Sequence, residues 1–501
     1  MNNLINFTSS KNSGYAELTQ ITQDFTNYSR SVGYCITGEN SLPGWLNLSE
    51  SEKEYALKQL QSDEEYVVIN SYFKVTYIVK IKDSHPEYRK KEELRKTAFN
   101  LRKTIKSGNH GTLVIAGHKD FPGAVSAFTE GLLLSFYSFD KYKTEAGEKD
   151  KTAYPPELLL YEGPGDEELK WLLDLTGSVW FIRDLINEPV NHLNAPSLAE
   201  EIRKTGEESG FKVEILNKGR IEALKMGGLL AVNRGSVDPP VFCILEWKPE
   251  KALNRKPVVL VGKGIVYDTG GLNLKPGDYM ENMKGDMAGA AAVTGAMRTI
   301  AKAGLPVHVV GLVPATDNRP GGNAYTQGEI ITMYNKMTVE VGNTDAEGRL
   351  ILADAISYAS KFKPELIIDV ATLTGSAAMT FGIQALAVMG NADRKYFRML
   401  EECGNEVYER TAELPFWDEY GELIKSDIAD VRNIGGREAG AITAGKFLER
   451  FAEYPLIHID IAGPGMLKKD DYYRLKEGPG TGARLLSEFL RKYAAGLTKK
   501  N

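Results

Sequence analysis

The sequence predicts an α/β protein of two domains: a smaller N-terminal α/β domain and a larger C-terminal α/β domain with a central mixed sheet flanked by helices. Three observations predict this. Short runs rich in Val, Ile and Leu alternate with longer runs whose apolar residues recur three and four apart, the pattern of doubly buried strands between helices. A polar, turn-rich stretch at 143–156, KTEAGEKDKTAYPP, interrupts that pattern once. A chain of 501 residues, 42% hydrophobic, is long enough to bury more than one core without disulfide staples.

Taken in order, YVVIN, KVTYIVKI and GTLVIAG read as strands, and Ala127–Tyr142 as a helix. Leu158–Tyr161 reads as the last strand before Gly163-Pro164-Gly165. The N-terminal domain is therefore expected at 1–163. Residues 164–189 hold DEELKWLLDLTGSVWFIRDLIN, an amphipathic linker helix, and 190–501 form the larger domain. In it KVEIL, GGLLAVN, VFCILEW, PVVLVG, PVHVVGLV, ELIIDVA, ALAVMG and LIHIDIAG are expected strands. AGAAAVTGAMRTIAKAG and RLILADAISYASKF are expected helices. Ligands of such sheets sit beyond the carboxyl ends of the strands, where the unusual residues of this chain also cluster.

The net charge of −6 leaves no electrostatic footprint for nucleic acid or an anionic membrane. Cys35, Cys243 and Cys403 are odd in number and far apart, with no disulfide framework and no CxxC spacing, which fits a reducing compartment. MNNLINFTSSKNSGYAE has neither a basic nor an apolar signal region, and no window approaches the roughly 18 apolar residues of a membrane helix. The expected location is the cytoplasm.

Two clusters carry chemistry. After PVVLVG comes GKGIVYDTGGLNLKPGDYMENMKGDMAG, with Lys263, Asp268, Lys275 and Asp286 at the mouth of a buried strand. By itself this also reads as a solvated turn with Asp286 capping a helix that begins at Met287. The second is VEVGNTDAEGRL. In an extended segment Asp345 and Glu347 point to the same side and repel unless a cation lies between them. A hairpin turn with a helix cap is the alternative. Arg349, at the expected helix start, offers an anion site. Together Asp268, Asp286, Asp345 and Glu347 can neutralise two divalent cations, the inventory of two-metal hydrolysis. Oxygen ligands alone favour Mg²⁺ or Mn²⁺ over zinc, and no histidine pattern supplies a nitrogen. His308 and His458 lie in apolar runs and read as satisfied core residues.

NTDAEGRL (Asn343–Leu350) resembles the signature of the cytosolic leucyl aminopeptidase family. GKGIVYDTGGLNLKP, MKGDMAGAAAV, DVATLTGS, GGREAGAITAGKFL, HIDIAGPG and GTGARLL resemble its other blocks, in order, and the likeness runs from about residue 127 to the C-terminus. Residues 1–126 carry no matching motif. The resemblance implies a metal-dependent aminopeptidase releasing leucine and other, mainly apolar, residues from peptides with a free N-terminus, through water activated by two Zn²⁺ or Mn²⁺ ions. It implies that Lys263, Asp268, Asp286 and Glu347 hold one ion, and that Asp268, Asp345 and Glu347 hold the other. Lys275 would polarise the scissile carbonyl, and Arg349 would hold a bicarbonate. Met283, Asn343, Thr372, Leu373, Gly375 and Ala462 fall at substrate-binding positions. A homohexamer is implied, with the N-terminal domain serving assembly or regulation.

The sequence departs from the family pattern at Tyr267, Gly285, Leu456-Ile457 and Gly465, none of them a proposed ligand. Gly465 suggests a roomier first substrate pocket. A hydrolase of special dipeptides such as cysteinylglycine, and a non-catalytic or DNA-binding protein on the same scaffold, are the competing readings. The intact charged set opposes a non-catalytic scaffold, and the net acidity opposes DNA as the main partner.

Overall fold

The computed structural model describes residues 2–7, 16–21, 31–37, 42–62, 64–72, 74–82, 84–108, 112–118, 120–144, 157–161 and 163–498. Most of the expected turn-rich linker, from 145 to 156, lies outside the described residues. The chain forms two compact units, Met1–Trp180 with Asp470–Leu475, and Phe181–Lys469 with Lys476–Asn501.

The first unit holds β1 (Asn2–Phe7), β2 (Ala16–Ile21), β3 (Ser31–Thr37), α1 (Glu50–Leu60), β4 (Tyr66–Ser71), β5 (Lys74–Ile81), α2 (Glu87–Ser107), β6 (Thr112–Gly117), α3 (Gly123–Ser135) and β7 (Glu157–Tyr161). Its seven strands run in the order β2-β1-β7-β6-β3-β5-β4, with β7, β6, β3 and β5 parallel. The helix expected over 127–142 starts four residues earlier and stops at Ser135. The aromatic, Ser and Asp residues that follow are weaker helix formers, and Tyr137 leaves the helix to pack edge-on against Trp180. The helix α4 (Asp166–Asn187) crosses the boundary between the units.

The second unit continues with α5 (Ala195–Ser209), β8 (Lys212–Leu216), α6 (Lys218–Leu224), α7 (Gly227–Asn233), β9 (Val241–Trp247), β10 (Val258–Gly262) and β11 (Gly264–Asp268). Then come α8 (Ala288–Lys302), β12 (Val309–Asn318), β13 (Ile330–Thr332), β14 (Thr338–Glu340), α9 (Gly348–Ala359), β15 (Leu366–Ala371), α10 (Gly375–Phe381) and β16 (Leu386–Gly390). The last elements are α11 (Arg394–Val407), β17 (Thr411–Glu413), α12 (Glu419–Glu422), β18 (Val431–Arg432), α13 (Gly440–Glu449), β19 (Leu456–Asp460) and α14 (Ala483–Thr498). The main sheet has the order β17-β16-β19-β15-β10-β12-β9-β8, with β11 paired to the far end of β12. It is mixed: β19, β15, β10 and β12 are parallel, β9 runs against both β12 and β8, and β16 runs against β19 but parallel to β17.

The continuous apolar runs are explained by burial on both faces. Along β10, Val258 and Leu260 enter one core with α5, α8, α11 and α14, while Val259 and Val261 enter the other with α7, α9 and α13. Leu366, Ile368 and Val370 of β15 join the first core, and Ile367 and Ala371 the second.

GGLLAVN is a helix, α7, not the expected strand. Short apolar runs do not distinguish the two states, and here a tertiary partner decides. The sequence supplies no capping side chain at Met226, and Asp354 of α9 accepts a hydrogen bond from the Leu229 amide at 3.0 Å instead. Asp354 also accepts from the Tyr334 amide at 2.8 Å. Burial drives its carboxyl from the ordinary 3.8 up to about 7, against the pull of these amides. PVHVVGLV also shifts, forming strand only from Val309, and His308 precedes it, 3.0 Å from Glu246.

Asp354→Ala strands buried amides and is expected to cost about 1–3 kcal/mol in chemical denaturation. The native state holds this proton more tightly than the unfolded chain, so the contribution of Asp354 is greatest below pH 3.8 and is lost as pH rises through about 7. Asp354→Asn is expected to remove that part of the pH dependence of stability.

Candidate active site

The charged residues singled out by sequence meet at the carboxyl ends of the parallel strands. Lys263 occupies the single position between β10 and β11, its backbone bonded to Val370 and Ala290. Asp268 ends β11. The chain then turns back through Gly270 (φ 84°) and Gly271 (φ 64°), left-handed conformations that favour glycine, and the Lys275 amide bonds the Thr269 carbonyl at 2.9 Å. The reversal returns Lys275 to Asp268. Asp286 follows a short 3₁₀ turn, Met283–Gly285, and α8 begins at Ala288; the expected cap role for Asp286 is not observed. Asp345 and Glu347 lie in a turn instead of an extended segment, and α9 begins at Gly348.

Lys263 Nζ is 2.8 Å from Asp286, 2.9 Å from Glu347 Oε1 and 2.9 Å from the Thr372 carbonyl. Its side chain passes directly over Gly348, where a Cβ would lie 2.4 Å from Lys263 Cε, so a larger residue there would displace the lysine. Lys275 Nζ is 2.7 Å from Asp268 Oδ2 and 2.5 Å from Asp345 Oδ1. Asp268, Asp286 and Glu347 are buried and offer oxygens that all lie within 4.8 Å of one another. Asp345 is not in that close group and joins the site through Lys275.

The electrostatics are those of crowded like charges in a dry place. Burial raises the Asp286 carboxyl well above the carboxylate range; Lys263 opposes this, and Glu347 and Asp268 add to it. Burial, with Asp268 and Glu347, lifts Asp345 to about 7. Burial pulls the Lys263 ammonium down, but Asp286, Glu347 and Asp268 more than reverse this, and the group stands above the usual lysine value. Lys275 is raised in the same way, with burial opposed by Asp268, Glu347 and Asp345. Glu347 Oε2 is buried with no hydrogen-bond partner among the described residues. Three converging carboxylates, an unused acceptor and an adjacent lysine fit a divalent cation; the ammonium becomes a nitrogen donor, which suits zinc as well as Mn²⁺, only on losing its proton, a loss that a nearby dication favours.

Several functional residues escaped the sequence reading. Asn318, at the end of β12, donates to Asp268 Oδ1 at 2.8 Å and to the Thr344 carbonyl at 3.0 Å. The Tyr325 hydroxyl donates to the same carbonyl at 2.6 Å. Thr344 Oγ1 donates to the Gly270 carbonyl and accepts from the Asn273 amide, tying the Lys275 loop to the Asp345 turn. Asn433 accepts from the Gly342 amide and donates to the Asn343 carbonyl, while its own carbonyl accepts from Arg349 Nη1 at 2.7 Å. Burial lowers the Arg349 guanidinium to about 10 against the attraction of Glu347 and Asp460, and its Nε has no partner among the described residues. The signal for these residues was present in kind: polar side chains at the ends of apolar strands, which need partners when buried.

The expected substrate positions divide. Thr372 donates to Asp286 Oδ1 at 2.7 Å. The Leu373 and Ala462 amides both donate to Asp460. Asn343 accepts from the Asp345 amide at 2.8 Å, and the Met283 carbonyl accepts from the Asp286 amide. Gly375 is the exposed first residue of α10. The extra room expected at Gly465 is not found: a Cβ there would lie 2.7 Å from both the Thr372 methyl and the Ile461 carbonyl. At Gly285 a Cβ would lie 2.3 Å from Met466 Sδ, so the thioether takes up the space a larger residue would fill. His458 is the core histidine expected but only half satisfied: Nδ1 is 2.6 Å from Asp369 Oδ1, while Nε2 is buried with no partner among the described residues.

Residues 180–487 match the model of the cytosol aminopeptidase family, catalytic domain. A probable cytosol aminopeptidase of Chlorobium limicola is 46% identical over 384 residues, 74% of this chain and 75% of that protein. One of Geobacter sulfurreducens is 45% identical over 377 residues, covering 74% and 75% of the two chains. Among solved structures, the bottromycin maturation enzyme BotP in complex with Mn is similar with a TM-score of 0.81 and 27% identity, over 93% of this chain and 100% of that one. The crowded carboxylates at the strand ends and the long match in sequence and fold converge: this chain belongs to the cytosol aminopeptidase family, the metal-dependent peptidases that remove amino acids from peptide N-termini.

Proposed function

We propose that the chain releases leucine and other, mainly apolar, N-terminal residues, using Lys263, Asp268, Asp286 and Glu347 around one ion and Asp268, Asp345 and Glu347 around a second. Aminopeptidases of the family use two divalent metals, zinc or manganese. The observation that carries the reading is the buried group Asp268, Asp286 and Glu347 between two lysines. The manganese named with the similar BotP structure supports it. Bound ions supply Lewis acidity and activate the attacking water.

The chain's own groups do the rest. Lys275, held by Asp268 and Asp345, directs a charged donor at the oxygen on which negative charge develops in the transition state. Asp345 and Asp268 fix that ammonium before the substrate arrives, so little reorganisation accompanies the reaction. Arg349, with Nη1 on the Asn433 carbonyl and Nε without a partner among the described residues, would hold a bicarbonate, which would supply a proton acceptor there. Thr372, Leu373 and Ala462, with Met283, Asn343 and Gly375, line the approach of the substrate backbone and first side chain. A free α-amino group adds a nitrogen donor to the site, which makes the terminal peptide bond the one presented.

The same reading places a homohexamer in the cytoplasm, with domain 1–163 serving assembly or regulation, 164–189 linking, and 190–501 catalytic. It is supported by family membership and by the unit boundary inside α4. No helix among the described residues is long and apolar enough to cross a membrane.

Hydrolysis of a leucyl dipeptide is expected to vanish on chelation, return with Mn²⁺ or Zn²⁺, and be absent for the N-acetylated dipeptide. Equal cleavage of both forms would overturn the role of the amino group. Lys275→Ala is expected to lower kcat by about 10²–10³-fold with a smaller change in KM, read by steady-state kinetics on metal-saturated protein.

A further inference from the structure

The carboxylate of Asp460 is used by no step above, yet it lies at the carboxyl end of β19 with 1% of its surface exposed. A buried carboxylate at that position needs donors, and it has three. Oδ1 accepts from the Leu373 amide and the Ala462 amide, each at 3.0 Å, and Oδ2 accepts from the Thr374 hydroxyl at 2.6 Å. Two of these donors belong to the loop between β15 and α10, and the third to the chain leaving β19. A backbone bond from the Ile461 amide to the Ala371 carbonyl, 2.8 Å, closes the same junction from the other side.

The clamped loop begins with Thr372, and Thr372 touches the ion-binding group twice. Its carbonyl accepts from Lys263 Nζ at 2.9 Å, and its hydroxyl donates to Asp286 Oδ1 at 2.7 Å. Its methyl is packed against the backbone at Gly465, on the chain segment that follows Asp460. Moving the 372–374 loop therefore moves the partner that orients both Lys263 and Asp286.

We propose that Asp460 is a positioning residue: by holding Leu373 and Thr374 it fixes Thr372, and through Thr372 it sets the orientation of Lys263 and Asp286 toward a divalent cation. This rests on the ligand assignment made under the proposed function. Outer partners of metal ligands typically matter by about 10–100-fold in affinity. Geometry more than charge carries the effect. An asparagine at 460 keeps an acceptor for the two amides, and its amide group can donate to the Thr374 hydroxyl.

The test is Mn²⁺ titration of metal-stripped full-length protein, followed by the electron paramagnetic resonance signal of free Mn²⁺, with kcat and KM for a leucyl dipeptide measured alongside. Asp460→Ala is expected to weaken Mn²⁺ binding about 10-fold or more, and Asp460→Asn to restore it to within about threefold of wild type. Thr374→Val, which removes one of the three bonds together with the bond from the Ala377 amide that caps α10, and keeps the carboxylate, is expected to weaken binding severalfold and serves where the alanine variant does not fold. Wild-type affinity in whichever of these two variants is folded would overturn the proposal, as would an asparagine variant as weak as the alanine one. Wild-type protein that takes up no Mn²⁺ would instead overturn the ligand assignment beneath it.

Discussion

Carboxylates crowded together away from water are the condition on which the catalytic unit is built. Asp268, Asp286 and Glu347 bring their oxygens within 4.8 Å of one another at buried positions, an arrangement that pushes protons back onto acids unless positive charge is close. Lys263 and Lys275 provide that charge, each shared between two of the site's acidic residues. The parallel sheet makes the arrangement possible. The strands β10, β12 and β15 end side by side, so loops far apart in sequence deliver their side chains to one place.

The surrounding hydrogen bonds keep those charges from relaxing apart. Asn318 and Thr344 fasten the turn carrying Asp345 and Glu347 to the segment Asp268–Lys275, and the Tyr325 hydroxyl holds the same turn by the Thr344 carbonyl. Asn433 fastens the same turn to Arg349. A buried polar network of this kind stabilises only when its members are satisfied, and most of these atoms are; among those without a hydrogen-bond partner in the described residues are Asn318 Oδ1 and Glu347 Oε2, which are acceptors, and Arg349 Nε, which is a donor.

Much of this was legible in the sequence, for identifiable reasons. Strands buried on both faces leave continuous apolar runs, so β9, β10, β15 and β16 read directly. α4 and α8 carry enough turns for their periodicity to show. GGLLAVN failed because its helical state depends on Asp354, more than a hundred residues away. The helix from Ala127 was drawn too long because apolar residues at helical spacing continue past Ser135, although Tyr137 packs elsewhere. At the site, Asp268, Asp286, Asp345, Glu347, Lys275 and Arg349 stood out as charges at strand mouths. Lys263 as a nitrogen donor came from resemblance alone, and Asn318, Asn433 and Asp460 stayed hidden because a polar residue does not announce its partner.

The meeting of Gly285 and Met466 bears on how this enzyme can change. The thioether sits where any side chain at 285 would have to go, one residue from Asp286. The two positions are therefore epistatic: a larger residue at 285 is accommodated only together with a smaller or redirected one at 466. Replacing Gly285 alone with a larger side chain would force the Met466 thioether aside or push strain toward Asp286. A smaller residue at 466 would open the space at the cost of a looser, cavity-bearing state, whereas a turn of the Met466 thioether would open it with no second substitution.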